Sequence, residues 1–116
     1  MKVMIVEDET MVSMLVEDML IDAGHTPVGP AACVADALAL IDTETFDAAL
    51  LDINLGGVET AFPVADRLDE LGIPYALVSG YDPTGIDTRY SHVPKLQKPF
   101  SHGAFRLTIA SLGERV

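Results

Sequence analysis

Short apolar runs alternate with helical periods along the whole chain, and that alternation leaves few folds open. Lys2 to Val6 (KVMIV) is an apolar, β-rich run that stops at Glu7-Asp8-Glu9. From Thr10 the period changes. Val12, Leu15, Val16, Met19 and Leu20 fall at i, i+3, i+4, i+7 and i+8, one face of a helix ending near Gly24. Thr26 to Gly29 allows a short strand, and Pro27 suits it to an edge. Ala31 to Ile41 is rich in Ala and Leu and reads as a helix. Phe46 to Leu51 (FDAALL) reads as a strand buried on both faces. After a turn at Gly56-Gly57, Thr60 to Leu71 is helical, with Pro63 tolerable only in the first turn. Pro74 to Val78 and Lys95 to Gln97 supply two more strands, and Ser101 caps a last helix carrying Phe105, Ile109 and Leu112. Residues 82–94 break the pattern: two prolines, one glycine and no apolar stripe predict a short, distorted or mobile element there. Alternating β and α elements with buried strands imply an α/β fold, a parallel sheet covered by helices on both faces. The 116 residues make one domain, 1–116, long enough to bury a core without disulfides or a structural metal.

Charge narrows the function classes. Seven Lys and Arg face eighteen Asp and Glu, a net charge of −11, and fifteen of those acids fall in residues 1–70. Such a surface argues against direct contact with nucleic acid or an anionic membrane, which needs clustered Lys and Arg. It fits a cation site or a protein partner. No apolar run approaches the roughly 20 residues that span a bilayer, and the opening MKVMIVEDE turns acidic too soon for a signal peptide. The lone Cys33 cannot form an internal disulfide, and a reducing cytoplasm is the simplest compartment.

In an open α/β sheet, ligands bind beyond the carboxyl ends of the strands. The residues that follow the strands here are Glu7 and Asp8, Asp52, Ser79 and Lys98. Asp52 follows AALL directly, where a lone buried carboxylate is costly. Clustered carboxylates repel one another unless a cation lies among them. A hard divalent cation with oxygen ligands is Mg²⁺, for which Mn²⁺ can substitute. The ligands would be Glu7 or Asp8, the Asp52 side chain and the backbone carbonyl of Asn54. An Asp52 oxygen can then attack a phosphoryl group. The cation and Lys98 would neutralise the transferring oxygens, and Ser79 would donate a hydrogen bond.

The segments VMIVEDE, AALLDINL, ALVSGYD and LQKPF resemble, in that order, the four motifs of bacterial two-component response-regulator receiver domains. The resemblance covers essentially the whole chain. It implies a flavodoxin-like, doubly wound five-stranded sheet of order 2-1-3-4-5 and a cis peptide bond before Pro99. It also implies phosphorylation of Asp52 from a phosphohistidine on a sensor histidine kinase or phosphotransfer protein, with changed interactions of the loop or helix after the fourth strand. Kinases of this kind would dock on the first helix, where Met11 and Met14 are expected on the outer flank, and on the loop after the fifth strand at Pro99 and Phe100. Asn54 and Tyr81, two residues beyond Asp52 and Ser79, would flank the path of an attacking water.

Three departures from the pattern stand out. The first acid is Glu7 where Asp is more common. Lys95 occupies the place of the usual switch aromatic, and an ammonium there is expected to stay near water. PYALVSGY approximates the FAT GUY phrase of a receiver subgroup associated with stand-alone receivers and with HWE-type kinases; Leu77, Val78 and Ser79 replace Phe-Ala-Thr. The chain therefore reads as a stand-alone receiver in which phosphorylation orders a loosely held segment, residues 81–94. Its downstream protein target is not identified. The alternative is a haloacid-dehalogenase-like phosphohydrolase using Asp52 as nucleophile. That chemistry wants a second Asp two residues on, where Asn54 sits. A flavin or nucleotide module would need a Gly-rich phosphate loop, which the acidic EDETMVS does not provide.

Overall fold

Successive residues of a strand point to opposite faces of its sheet. Val3 and Ile5 therefore serve one core, Met4 and Val6 the other, and all four are buried. The computed structural model of the chain describes residues 1–57, 59–80 and 86–115. Its strands are β1 (Lys2–Val6), β2 (Thr26–Ala31), β3 (Ala48–Asp52), β4 (Asn54–Leu55), β5 (Glu59–Thr60), β6 (Tyr75–Ser79) and β7 (Lys95–Gln97). Its helices are α1 (Thr10–Asp22), α2 (Val34–Thr43), α3 (Phe62–Leu71) and α4 (His102–Gly113). The main sheet is parallel, in the order β2-β1-β3-β6-β7. Counting only the strands of that sheet, this is the order 2-1-3-4-5. β4 and β5 form a separate antiparallel ribbon directly after β3.

Two cores follow from the alternation. On one face Met4, Val6, Ala49, Leu51 and Leu77 meet Ala37 of α2 and Val64 and Leu68 of α3. On the other, Val3, Ile5, Leu50, Val78 and Leu96 meet Val16, Met19 and Leu20 of α1 and Phe105, Ile109 and Leu112 of α4. Every residue of β3 and of β6 is buried, as strands covered on both sides require.

Several boundaries differ from the sequence reading, each for a local reason. β2 runs on through Ala31, so α2 starts at Val34. A bulge makes this possible: the β1–β2 register shifts between Met4 and Val6, and Gly29 sits there at φ +95°. A Cβ at Gly29 would lie 3.1 Å from the Ile5 carbonyl oxygen, so only glycine fits this close approach. β3 extends to Asp52 itself. Thr60 belongs to β5, and α3 starts at Phe62, with Pro63 in its first turn and Gly72 closing it at φ +71°.

The first helix is rolled relative to the periodicity. Its buried residues are Ser13, Val16, Met19 and Leu20, while Val12 is half-buried and Leu15 is 51% exposed. At 100° per residue, Leu15 lies more than a quarter-turn from Val16, whereas Ser13 lies only about 20° beyond Leu20 on the other flank. Ser13 tolerates that place because its hydroxyl donates to the Thr10 carbonyl.

In the stretch 82–94, residues 82–85 lie outside the described residues. The remainder contains a 3-10 turn, Thr88–Tyr90, and no α-helix. It is not loose. Tyr90 is 1% exposed and Val93 is also buried. The Tyr90 ring stacks on Phe62 at 4.8 Å, and its hydroxyl donates to Asp66 Oδ1 at 2.7 Å. Two anchors three positions apart in the sequence, Tyr90 and Val93, replace the apolar stripe that the segment lacks.

Candidate functional site

Parallel strands deliver their carboxyl ends to one edge of the sheet, and the predicted residues collect there. Glu7 and Asp8 follow β1, Asp52 and Ser79 are the last residues of β3 and β6, and Lys98 follows β7. Register fixes their neighbours: Asp52 pairs with Val78 and Ser79 with Gln97. The Lys98 amide donates to the Ser79 carbonyl at 2.8 Å. The peptide bond between Lys98 and Pro99 is cis, as is that between Gly29 and Pro30.

Lys98 is the centre of the cluster. Its ammonium donates to Asp52 Oδ2 at 2.9 Å and to Glu7 Oε2 at 3.0 Å. Asp52, Glu7 and Ser79 are all buried, and Asp52 is 6% exposed. Asp8 is half-buried, and its Oδ2 accepts from the Gly56 backbone amide at 3.0 Å. Carboxylate oxygens of Glu7, Asp8 and Asp52 lie within 4.8 Å of one another. Three acids around one ammonium leave the pocket short of positive charge. Burial, with the Asp52 carboxylate beside it, pushes the Glu7 carboxyl up to about 7 against the opposing pull of Lys98 and the Glu9 amide. Burial alone would lower Lys98, but the Asp52 and Glu7 carboxylates bonded to it hold its ammonium above the ordinary range. This is an oxygen-only, anion-rich donor set, and it fits a hard divalent cation such as Mg²⁺.

Asn54 opens β4, exposed, opposite Thr60. Tyr81 lies outside the described residues. Met11 and Met14 are 86% and 57% exposed on α1, next in the chain to the pocket. Phe100 is half-buried, its ring stacked on Phe105 at 5.9 Å.

Three features were not read from the sequence. Gly56 and Gly57 signalled a turn, yet nothing in them announced that the Gly56 amide would bind Asp8. Glu59 at the far side of that turn accepts from the Val34 amide at 2.9 Å, capping α2 where Cys33 at the N-cap makes no side-chain bond. The Lys95 ammonium donates to the carbonyls of Tyr90 at 2.6 Å and Val93 at 2.7 Å. The sequence reading kept this ammonium near water and did not foresee its main-chain carbonyl partners.

Among the described residues no helix is long and apolar enough to cross a membrane. No curated protein sequence matches the chain. Among solved structures it is similar to SdrG from Sphingomonas melonis Fr1, with 40% identity, 96% of this chain and 94% of that chain covered, and a TM-score of 0.85. The BeF3-activated conformation of SdrG from Pseudomonas melonis Fr1 is similar to the same degree, at 40% identity over 96% of this chain and 94% of that one, with a TM-score of 0.84. The receiver (REC) domain of the Erythrobacter litoralis response regulator PhyR shares 28% identity over 97% of this chain and 89% of that chain, with a TM-score of 0.87. Residues 3–105 match the response regulator receiver domain. With the sheet order, the acidic pocket and these likenesses in agreement, the chain belongs to the response regulator receiver domain family.

Proposed function

We propose that Asp52 is the phosphoacceptor of a two-component signalling pathway, receiving its phosphoryl group from a phosphohistidine on a sensor histidine kinase or phosphotransfer protein in the cytoplasm. The observation that carries this reading is the buried Asp52 carboxylate, held at 2.9 Å by Lys98 beside two further acids. Family membership supports it and leaves the phosphohydrolase alternative without support. The partial FAT GUY phrase favours a kinase of the HWE type.

The chain's own groups divide the work. Lys98 holds one Asp52 oxygen and so fixes the plane of the carboxylate. An Asp52 oxygen attacks phosphorus, the phosphorus–nitrogen bond of the phosphohistidine breaks, and its electron pair returns to the imidazole. Lys98 lies where negative charge collects on the transferred group. Ser79, at the end of β6, donates a hydrogen bond to a phosphoryl oxygen. Glu7, Asp8, Asp52 and the Asn54 carbonyl would hold Mg²⁺ or Mn²⁺, which would supply positive charge against the phosphoryl oxygens.

Labelling by acetyl phosphate tests the reading. The chain should take up one acid-labile phosphoryl group only when Mg²⁺ or Mn²⁺ is added, and Asp52→Asn should take up none. Stoichiometric, acid-stable labelling of Asp52→Asn would show that the acceptor is another residue.

A further inference from the structure

Lys95 has no carboxylate partner among the ion pairs of the described residues, and its ammonium donates to two main-chain carbonyls. Both carbonyls, of Tyr90 and Val93, belong to the stretch that connects β6 to β7. Tyr90 O also accepts from the Val93 amide at 3.1 Å, so one ammonium closes the end of the 3-10 turn. The opposite side of the turn is held by α3. Tyr90 stacks on Phe62 and donates to Asp66, and Arg89 reaches Asp66 Oδ2 at 3.4 Å while its guanidinium lies 4.7 Å from the Tyr90 ring centroid. The turn is thus gripped between a helix and a strand, and the strand is the one that leads into Lys98.

We propose that Lys95 is a positioning residue: its ammonium fastens the 88–93 turn to β7, so that the turn, with Arg89 on its surface, moves with the end of the strand that holds Lys98. The two lysines are three positions apart, about 10 Å of extended chain. Leu96 between them packs in the core on the α1 and α4 side, while Lys95 reaches the α3 side, so the two faces of β7 divide anchorage from fastening. When Lys98 follows the phosphoryl group on Asp52, a β7 that shifts carries the turn with it through a charge-assisted bond that an apolar side chain of the same length cannot make. The last step rests on the phosphoacceptor reading; the fastening itself does not.

Amide hydrogen exchange and NMR shifts of the full chain test both parts. Lys95→Met keeps the stem and removes the ammonium. Without any phosphoryl mimic, the amides of 88–93 should lose about 10- to 100-fold of their protection while those of β1 and β3 keep theirs. Unchanged protection at 88–93 would overturn the fastening. With Mg²⁺ and beryllofluoride, wild type should show shifts at Ser79, at Lys98 and across 88–93, and Lys95→Met should show them at Ser79 and Lys98 only. An equal response across 88–93 in both proteins would overturn the coupling, and would mark Lys95 as merely structural. So would a wild type that responds at Ser79 and Lys98 but not at 88–93. Absence of any response at Ser79 and Lys98 would instead fail the acceptor reading, and the coupling with it. If Lys95→Met does not fold, the wild-type Lys95 ammonium decides. A slowly exchanging ¹⁵Nζ resonance that shifts with beryllofluoride supports the proposal; one in fast exchange with water overturns it.

Discussion

Glu7 shows at the scale of one residue how the site works against the fold that carries it. Its carboxyl, pushed up to about 7 by burial and by Asp52, keeps its proton in the folded chain to a higher pH than in the unfolded chain. Below pH ~4.5 both states are protonated and the group contributes nothing. Between pH ~4.5 and 7 the unfolded chain ionises first, so stability falls as pH rises, and the whole penalty is present above 7. Glu7→Gln removes that dependence. Denaturant unfolding of the metal-free protein should find it more stable than wild type by about 1–2 kcal/mol at pH 8, discounted for water at the pocket mouth, and little different at pH 4.5. Mg²⁺ binding should weaken in the same variant. A gap that does not grow between pH 4.5 and pH 8 would refute the assignment of Glu7 as the titrating group. The position of Glu7 was legible in the sequence, because an acid after the first strand of a parallel sheet has nowhere else to go. The upward push on its carboxyl was not, because that depends on distances between three strands.

At the scale of elements, periodicity found each helix and each strand of the main sheet, but not their rotation. Counting apolar positions centred the buried face of α1 too near Leu15; the core took Ser13, which satisfies its hydroxyl within the helix. The corrected α1 presents Met11, Met14, Leu15 and Ile21 outward, all more than half exposed. Such an apolar surface suits a docking helix of a kinase better than two methionines alone. Met11→Asp with Leu15→Asp should slow phosphotransfer from a cognate kinase at least ~10-fold, the loss expected when a few buried anchors are removed. Labelling by acetyl phosphate should stay within error of wild type, because neither residue reaches the pocket. Equal slowing of both reactions would place the effect in the acceptor site. The β4–β5 ribbon escaped the sequence reading altogether, since two-residue strands leave no period to detect. It nevertheless joins Asp8 to α2 through Gly56 and Glu59. Glu59→Ala, which uncaps α2, should destabilise the protein by about 0.5–2 kcal/mol in thermal or denaturant unfolding.

For the molecule as a whole, the acidic balance and the pocket act on stability together but are separable. The chain carries −11, and its pocket holds three carboxylates around one ammonium. General repulsion is relieved by any salt, whereas the pocket responds to a cation small and hard enough to be shared by converging oxygens. A ligand that binds only the folded state at about 100 times its Kd adds ~2.7 kcal/mol of stability. For a domain near this size each kcal/mol raises Tm by roughly 4 °C, so saturating Mg²⁺ should raise Tm by about 10 °C. NaCl at matched ionic strength should give a small fraction of that. Asp8→Asn should start from a metal-free Tm no lower than that of wild type, since it removes an acid from a crowded site, and should lose most of the Mg²⁺-dependent rise. If NaCl matched Mg²⁺, or if Asp8→Asn kept the full rise, the stabilisation would come from screening of the surface, and the converging carboxylates would not be the cation's seat. The sequence could place these acids at one end of the sheet because topology alone brings strand ends together. It could not say that Lys98 would bind two of them at once, because that balance exists only when β1, β3 and β7 lie side by side.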